Sequence, residues 1–126
     1  LSTFQTLVEL VRQVGDDPSE VEARAIGRLT AHLMTLRGMS VSVAGMLADG
    51  RMPVTEAALV KDLGTNYCKD VPEMARMIRP PEDGAGNNSR YEKMLKTATL
   101  IAPSLTIQGG TREILRGMIA RGLGLR

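Results

Sequence analysis

The chain has 126 residues, the length of one domain, and 43% of them are apolar, too many for a disordered chain. With 16 basic and 14 acidic side chains the net charge is +2, too nearly balanced to point to nucleic acid. Aromatic residues make up only 2%, with no Trp, so the core must be Leu, Ile, Val, Met and Ala, which suits packed helices better than a sheet.

The opening "LSTFQTLVELVRQV" sets Phe4, Leu7, Val8 and Val11 at helical spacing and predicts a short helix over residues 1–14. It begins without a Met and inside a periodic pattern, so no signal peptide is expected and the chain reads as a piece of something longer. In "GDDPSE", Asp17 is the expected cap, Pro18 the first helical residue and Glu20 the partner completing a capping box. Beyond it Ile26, Leu29, Leu33, Leu36, Val43 and Leu47 recur three and four apart, with Ser40 in the one polar slot. That pattern predicts a long amphipathic helix over 20–48 with a bundle-type seam, Ser40 being a small residue that admits a close neighbour.

"DGRMPV" is a turn: Gly50 ends one helix and Pro53 precedes the next. The third helix is expected from Thr55 to Ile78, with a stripe of Val60, Leu63, Tyr67, Val71, Met74 and Ile78, and with a kink at Pro72. "RPPEDGAGNNSR" is a loop. "YEKMLKTATLIA" carries a fourth helical segment to Pro103, and after "SLTIQGG" a last helix runs from Thr111 to about Gly122. Three longer helices and a broken fourth, joined by short turns, predict an all-α fold: an up-and-down four-helix bundle with a broken last helix, formed by the whole of residues 1–126. No run of about 18 uninterrupted apolar residues is present, so no membrane span is expected.

Most of the residues capable of chemistry read as structural. His32, the one histidine, lies beside the apolar stripe without a second His or a Cys–carboxylate cluster, so no metal site is expected. Cys68, the one cysteine, excludes an internal disulfide, fits a reducing compartment such as the cytoplasm, and reads as a small packing residue. The eight methionines read as core filler. "QGGTREI" differs. Two glycines before a helix start permit backbone conformations closed to other residues. Thr111 can cap the helix, and the first-turn amides behind it are unpaired donors with the helix dipole behind them, a place to receive a ligand oxygen.

From these residues onward the sequence resembles the acyl-CoA dehydrogenase family. "TIQGGTREILRGMIARGLGLR" resembles its closing motif through Thr106, Ile107, Gly109, Gly110, Thr111, Glu113, Ile114, Arg116, Ile119, Ala120, Leu123, Gly124 and Leu125. "EAALVKDLGTNYCKDVPEMARMI" is similar to its penultimate long helix. The resemblance covers essentially the whole chain but only the family's C-terminal domain. It implies an N-terminal helical domain and a middle β domain elsewhere, FAD bound between the β domain and this bundle, and assembly as a homo-oligomer or mixed tetramer. It further implies α,β-dehydrogenation of an acyl-CoA thioester, a carboxylate removing the α-proton while the β-hydrogen leaves as hydride to the flavin. Electrons would then pass to an electron-transfer flavoprotein.

Residue by residue, the resemblance implies FAD contact by Thr111 and Glu113, with Arg112 between them a further candidate. Gly110 matches the glycine beside the bound thioester, and Gly109 stands where many members carry the catalytic glutamate. No catalytic residue is therefore assigned in this chain. The resemblance implies two alternatives: a carboxylate on the domain's first long helix, at a position that would fall before Leu1, or a subunit that lacks a base in a mixed oligomer. The family's glycine-rich loop after the penultimate helix is reduced here to Gly84 and Gly86, and reads as a linker. Two other readings stand beside this one: a non-catalytic bundle whose exposed stripes serve oligomerisation, and a nucleic-acid face of Arg112, Arg116, Arg121 and Arg126, which the modest charge disfavours.

Overall fold

The computed structural model describes residues 2–80 and 89–125. In chain order the elements are α1 (Ser2–Val14), α2 (Glu20–Ala48), α3 (Val54–Ile78), α4 (Arg90–Ile101), a 3-10 turn (Ser104–Thr106) and α5 (Arg112–Gly122). The fold is all-α, a helical bundle, with no strand among the described residues. Gly84 and Gly86 lie outside the described residues, as does Arg126.

α3 is the hub, since α1, α2, α4 and α5 all pack against it. Paired residues give the directions. Glu22 near the start of α2 meets Arg79 at the end of α3, and His32 meets Tyr67, so α2 and α3 are antiparallel. Tyr91 at the start of α4 also reaches the end of α3, whereas Gly122 at the end of α5 meets Thr55 at its start. The broken fourth helix thus runs the length of α3 in reverse: α4 beside its second half, α5 beside its first. α1 runs antiparallel to α4, with Thr6 against Met94 and Glu9 against Arg90.

The core gathers around the second half of α3. Leu10, Val71 and Ala75 are fully buried, among Leu7, Val14, Leu29, Leu36, Tyr67, Tyr91 and Leu95. Three polar contacts lock this end. The buried Glu9 accepts from Arg12 at 2.7 Å and pairs with Arg90 at 2.9 Å, tying α1 to α4. Glu22 pairs with Arg79 at 2.7 Å. The Tyr91 hydroxyl lies 3.1 Å from the Ala75 carbonyl, which also accepts from the Arg79 amide, and 2.7 Å from the carbonyl of Arg79, the C-cap of α3.

The start of α2 corrects the sequence expectation by two residues. Ser19, not Asp17, is the cap, and Glu22, not Glu20, completes the box. Both pairs have the right spacing, but Glu22 also reaches Arg79, so the later start satisfies one more charge. The seam is corrected too. It is buried only as far as Leu36; beyond it Val43 is half-buried, and Ser40 and Leu47 are exposed. The cause is that only α3 packs extensively against α2 among the described residues. Pro72 is buried within α3, and the helix runs on through it to Ile78.

Candidate functional site

The break between the 3-10 turn and α5 is built on two left-handed residues. Gly109 has φ +76° and Gly110 φ +108°, a region that costs any L side chain strain. They turn the chain so that Thr111 takes the N-cap position of α5 in extended conformation (φ −70°, ψ 163°). Its side chain accepts no capping bond from the first-turn amides. Instead Glu113's own amide and then the Thr111 hydroxyl bond the Glu113 carboxylate, holding its pKa below the ordinary value of 4.5. A carboxylate satisfied in this way is a helix-start anion and a poor proton acceptor.

α3 supports the turn from below. Lys61 Nζ donates to the Leu105 carbonyl at 3.1 Å and to the Thr65 hydroxyl at 2.9 Å. Its Cε would lie 3.5 Å from a Cβ placed on Gly109. One residue on, Asp62 Oδ1 lies 3.4 Å from Arg112 Nε. At its far end α5 comes so close to α3 that a Cβ on Gly122 would sit 1.9 Å from Thr55 Oγ1.

Between α3 and this break lies a cleft of about 280 Å³, lined by Asp62, Thr65, Asn66 and Lys69 from α3 and by Thr106, Ile107, Thr111, Arg112, Glu113 and Leu115 across it. The cleft therefore brings together Thr111, Arg112 and Glu113, the three sequence candidates for cofactor contact. Gly109 is exposed on the turn above them, and Gly110 packs against Leu115 and Ile114. A second cleft of about 310 Å³ shares Lys69 and Thr106 and continues past Pro72, Thr99 and Pro103. The α3 side of the site is not among the sequence candidates. Its signal is a polar stripe, Asp62, Thr65, Asn66 and Lys69, at the same three- and four-residue spacing as the apolar one.

The other singled-out residues lie elsewhere. His32 stands edge-on to Tyr67, ring centroids 5.1 Å apart. Cys68 is a half-buried free thiol. Among the described residues no three metal-ligating side chains cluster, and no helix is long and apolar enough to cross a membrane.

The family model described as acyl-CoA dehydrogenase, C-terminal domain, matches residues 11–124, nearly the whole chain and every residue of the cleft. The chain belongs to the acyl-CoA dehydrogenase family. No curated protein and no solved structure matches it. Within this acyl-CoA dehydrogenase domain the segment after the diglycine turn, the start of α5 and polar side chains of α3 converge on the cleft.

Proposed function

We propose that this chain is the C-terminal helical domain of an FAD-dependent acyl-CoA dehydrogenase, acting with an N-terminal helical domain and a middle β domain that complete the site. The observation that carries this reading is the family match across the diglycine turn and the cleft it borders. The donor set suits a phosphorylated, hydroxyl-rich cofactor: hydroxyls of Thr65 and Thr111, the Asn66 amide, the Lys69 and Arg112 cations, and the first-turn amides of α5. Pockets that bury most of a drug-sized ligand measure about 300–1,000 Å³, so a cleft of about 280 Å³ takes part of FAD and leaves the rest to another domain.

Bound FAD supplies the hydride acceptor for α,β-dehydrogenation of an acyl-CoA thioester. This chain contributes placement: Thr111 and Glu113, with Arg112, hold the cofactor, and Gly110 lies beside the thioester. It supplies no base at the turn. Position 109 has no side chain, Glu113 is committed to its own helix start, and Asp62 faces Arg112. The base therefore comes from a carboxylate elsewhere in the protein or from another subunit of a mixed oligomer. In this reading electrons pass to an electron-transfer flavoprotein, in the cytoplasm, and the 126-residue chain alone is inactive.

The test is the visible flavin spectrum of the protein carrying its upstream domains. A yellow protein bleached by acyl-CoA is expected, with weaker FAD retention in Thr111→Ala and Glu113→Ala. A colourless protein that stays apo with added FAD would overturn the reading.

A second reading, self-association through the bundle, is favoured by exposed Met34, Val41, Leu47 and Met52 on and just after α2. Sedimentation at high concentration tests it, and a clean monomer removes it.

A further inference from the structure

The diglycine turn does not hold its own shape. Among the described backbone hydrogen bonds outside the helices, none involves Gln108, Gly109 or Gly110. Two adjacent glycines in left-handed conformation have wide backbone freedom and no side chain to restrict it. Yet the segment enters and leaves through fixed points, and both lie on consecutive residues of α3. Upstream, Lys61 grips the Leu105 carbonyl and lays its stem against Gly109. Downstream, Asp62 faces Arg112, the first residue of α5.

We infer that Lys61 and Asp62 are positioning residues that clamp the diglycine turn from its two sides and so set where its backbone meets cofactor and substrate. The inference rests on the proposed function for the identity of what the turn meets, and on the geometry alone for the clamp. Neither residue is disposed as a solvated surface charge. Asp62 keeps only 15% of its side-chain exposure, and the half-buried Lys61 ammonium spends two donors on protein acceptors. Long cations and carboxylates are ordinarily exposed unless such partners hold them. Because the two are neighbours in one helix, the carbonyl upstream and the guanidinium downstream are referred to the same rigid element. A shift at either would move the glycines.

The experiment uses the complete flavoprotein, with wild-type FAD affinity measured first. Lys61→Met is expected to weaken FAD binding about tenfold, the scale of one lost hydrogen bond to a charged group, and Asp62→Asn, which loses an ion pair rather than a hydrogen bond, about threefold; both should alter the visible flavin spectrum. Lys61→Arg, which can still donate to the Leu105 carbonyl, should recover most of the loss. Tyr91→Phe serves as control: it breaks hydrogen bonds at the far end of α3, roughly 20 Å away at 1.5 Å per residue, and should lower Tm without changing the flavin. If Lys61→Met and Asp62→Asn lower Tm as Tyr91→Phe does but keep wild-type affinity and spectrum, the clamp is overturned. If the wild-type protein takes no FAD, the proposed function falls instead. The clamp is then decided in this chain by amide hydrogen exchange at Ile107 and Leu115, whose hydrogen bonds close the elements on either side of the turn. Exchange at least about tenfold faster in Lys61→Met supports it, and unchanged exchange overturns it.

Discussion

The two halves of α3 are built to different ends. From Tyr67 to Arg79 the helix is enclosed: Val71 and Ala75 are fully buried, and ion pairs and the Tyr91 hydroxyl lock α1, α2 and α4 around it. From Val54 to Asn66 only Ala58 is buried, the outward stripe is polar, and a cleft opens between it and the start of α5. The enclosed half holds the apolar area that stabilises the fold. The open half is the part that can carry polar groups and left-handed glycines, because the other half does not depend on them. A domain that contributes one wall of a shared site is expected to divide in this way.

The largest test of that division is truncation of a leucine in each half. Leu10 is fully buried in the enclosed half, and Leu10→Ala should cost about 4 kcal/mol. Leu115 lies under the diglycine turn beside the cleft, where the walls can collapse, and Leu115→Ala should cost about 2 kcal/mol. Denaturant midpoints of the two variants read the difference, and equal losses would erase the distinction. Next in size is a pair of glycines on α5. Gly117 faces open space, so Gly117→Ala should stabilise by up to about 1 kcal/mol. At Gly122 the added methyl meets Thr55, whose Cβ is only 2.8 Å away and cannot swing aside. Gly122→Ala should therefore cost about 2 kcal/mol as α5 is pushed from α3, and it should widen the cleft as well.

The two tyrosines sharpen the comparison within the core itself. Tyr91 shares its one hydroxyl proton between two carbonyls at the end of α3, closer to that of Arg79, so Tyr91→Phe should cost about 1 kcal/mol. The Tyr67 hydroxyl, at the border of the two halves, is buried with no hydrogen-bond partner among the described residues. Tyr67→Phe should then be neutral or slightly stabilising, since it removes a desolvated group without orphaning another. Burial pushes both hydroxyls up to about 12; the neighbouring Cys68 adds to the effect at Tyr67, and Arg79 partly opposes it at Tyr91. The sign follows. Their protonated forms stabilise the fold fully below the ordinary value of 10, and that contribution is lost as pH rises toward 12. Ultraviolet titration of the folded chain should show no tyrosinate near pH 10, and Tyr91→Phe should leave one such late-titrating group.

Much of the enclosed half was legible in the sequence, and much of the open half was not. The spacing of Leu29, Leu33 and Leu36 against Tyr67 and Val71 carries the pairing of α2 with α3, because apolar period and burial coincide there. The helix over Glu20–Ala48 matches the periodic reading in both bounds, yet that period continues through Val43 and Leu47, where nothing among the described residues covers α2 fully. Periodicity reports which face is apolar, not whether a partner covers it. In the open half the turn was legible through its glycines, whose backbone requirement is written in residue type. Lys61 and Asp62 were not: the sequence shows two adjacent charges, and only the fold shows that the Leu105 carbonyl and Arg112 lie opposite them.

The smallest expected effect compares two helix starts of similar chemistry, one in each half. Glu22 begins α2, and its carboxylate accepts from the Ser19 hydroxyl at 2.7 Å and the Ser19 amide at 2.9 Å, which lowers its pKa below 4.5, Arg79 adding to the effect. Glu113 begins α5 and is lowered by its own amide and the Thr111 hydroxyl. Both are depressed carboxylates, so each contributes stability above the ordinary carboxylate value that is lost as pH falls through its lowered folded value. Replacement by Gln should therefore lower Tm at neutral pH and make no difference in strong acid. The gap should be wider for Glu22→Gln, which also breaks the bridge that locks α2 to the end of α3, than for Glu113→Gln, whose partners are one exposed helix turn. Thermal melts from neutral pH to about pH 3 measure both gaps. If Glu113→Gln proves the more costly, the open half contributes more to stability than its burial implies, and Glu113 is a structural cap before it is a ligand for anything.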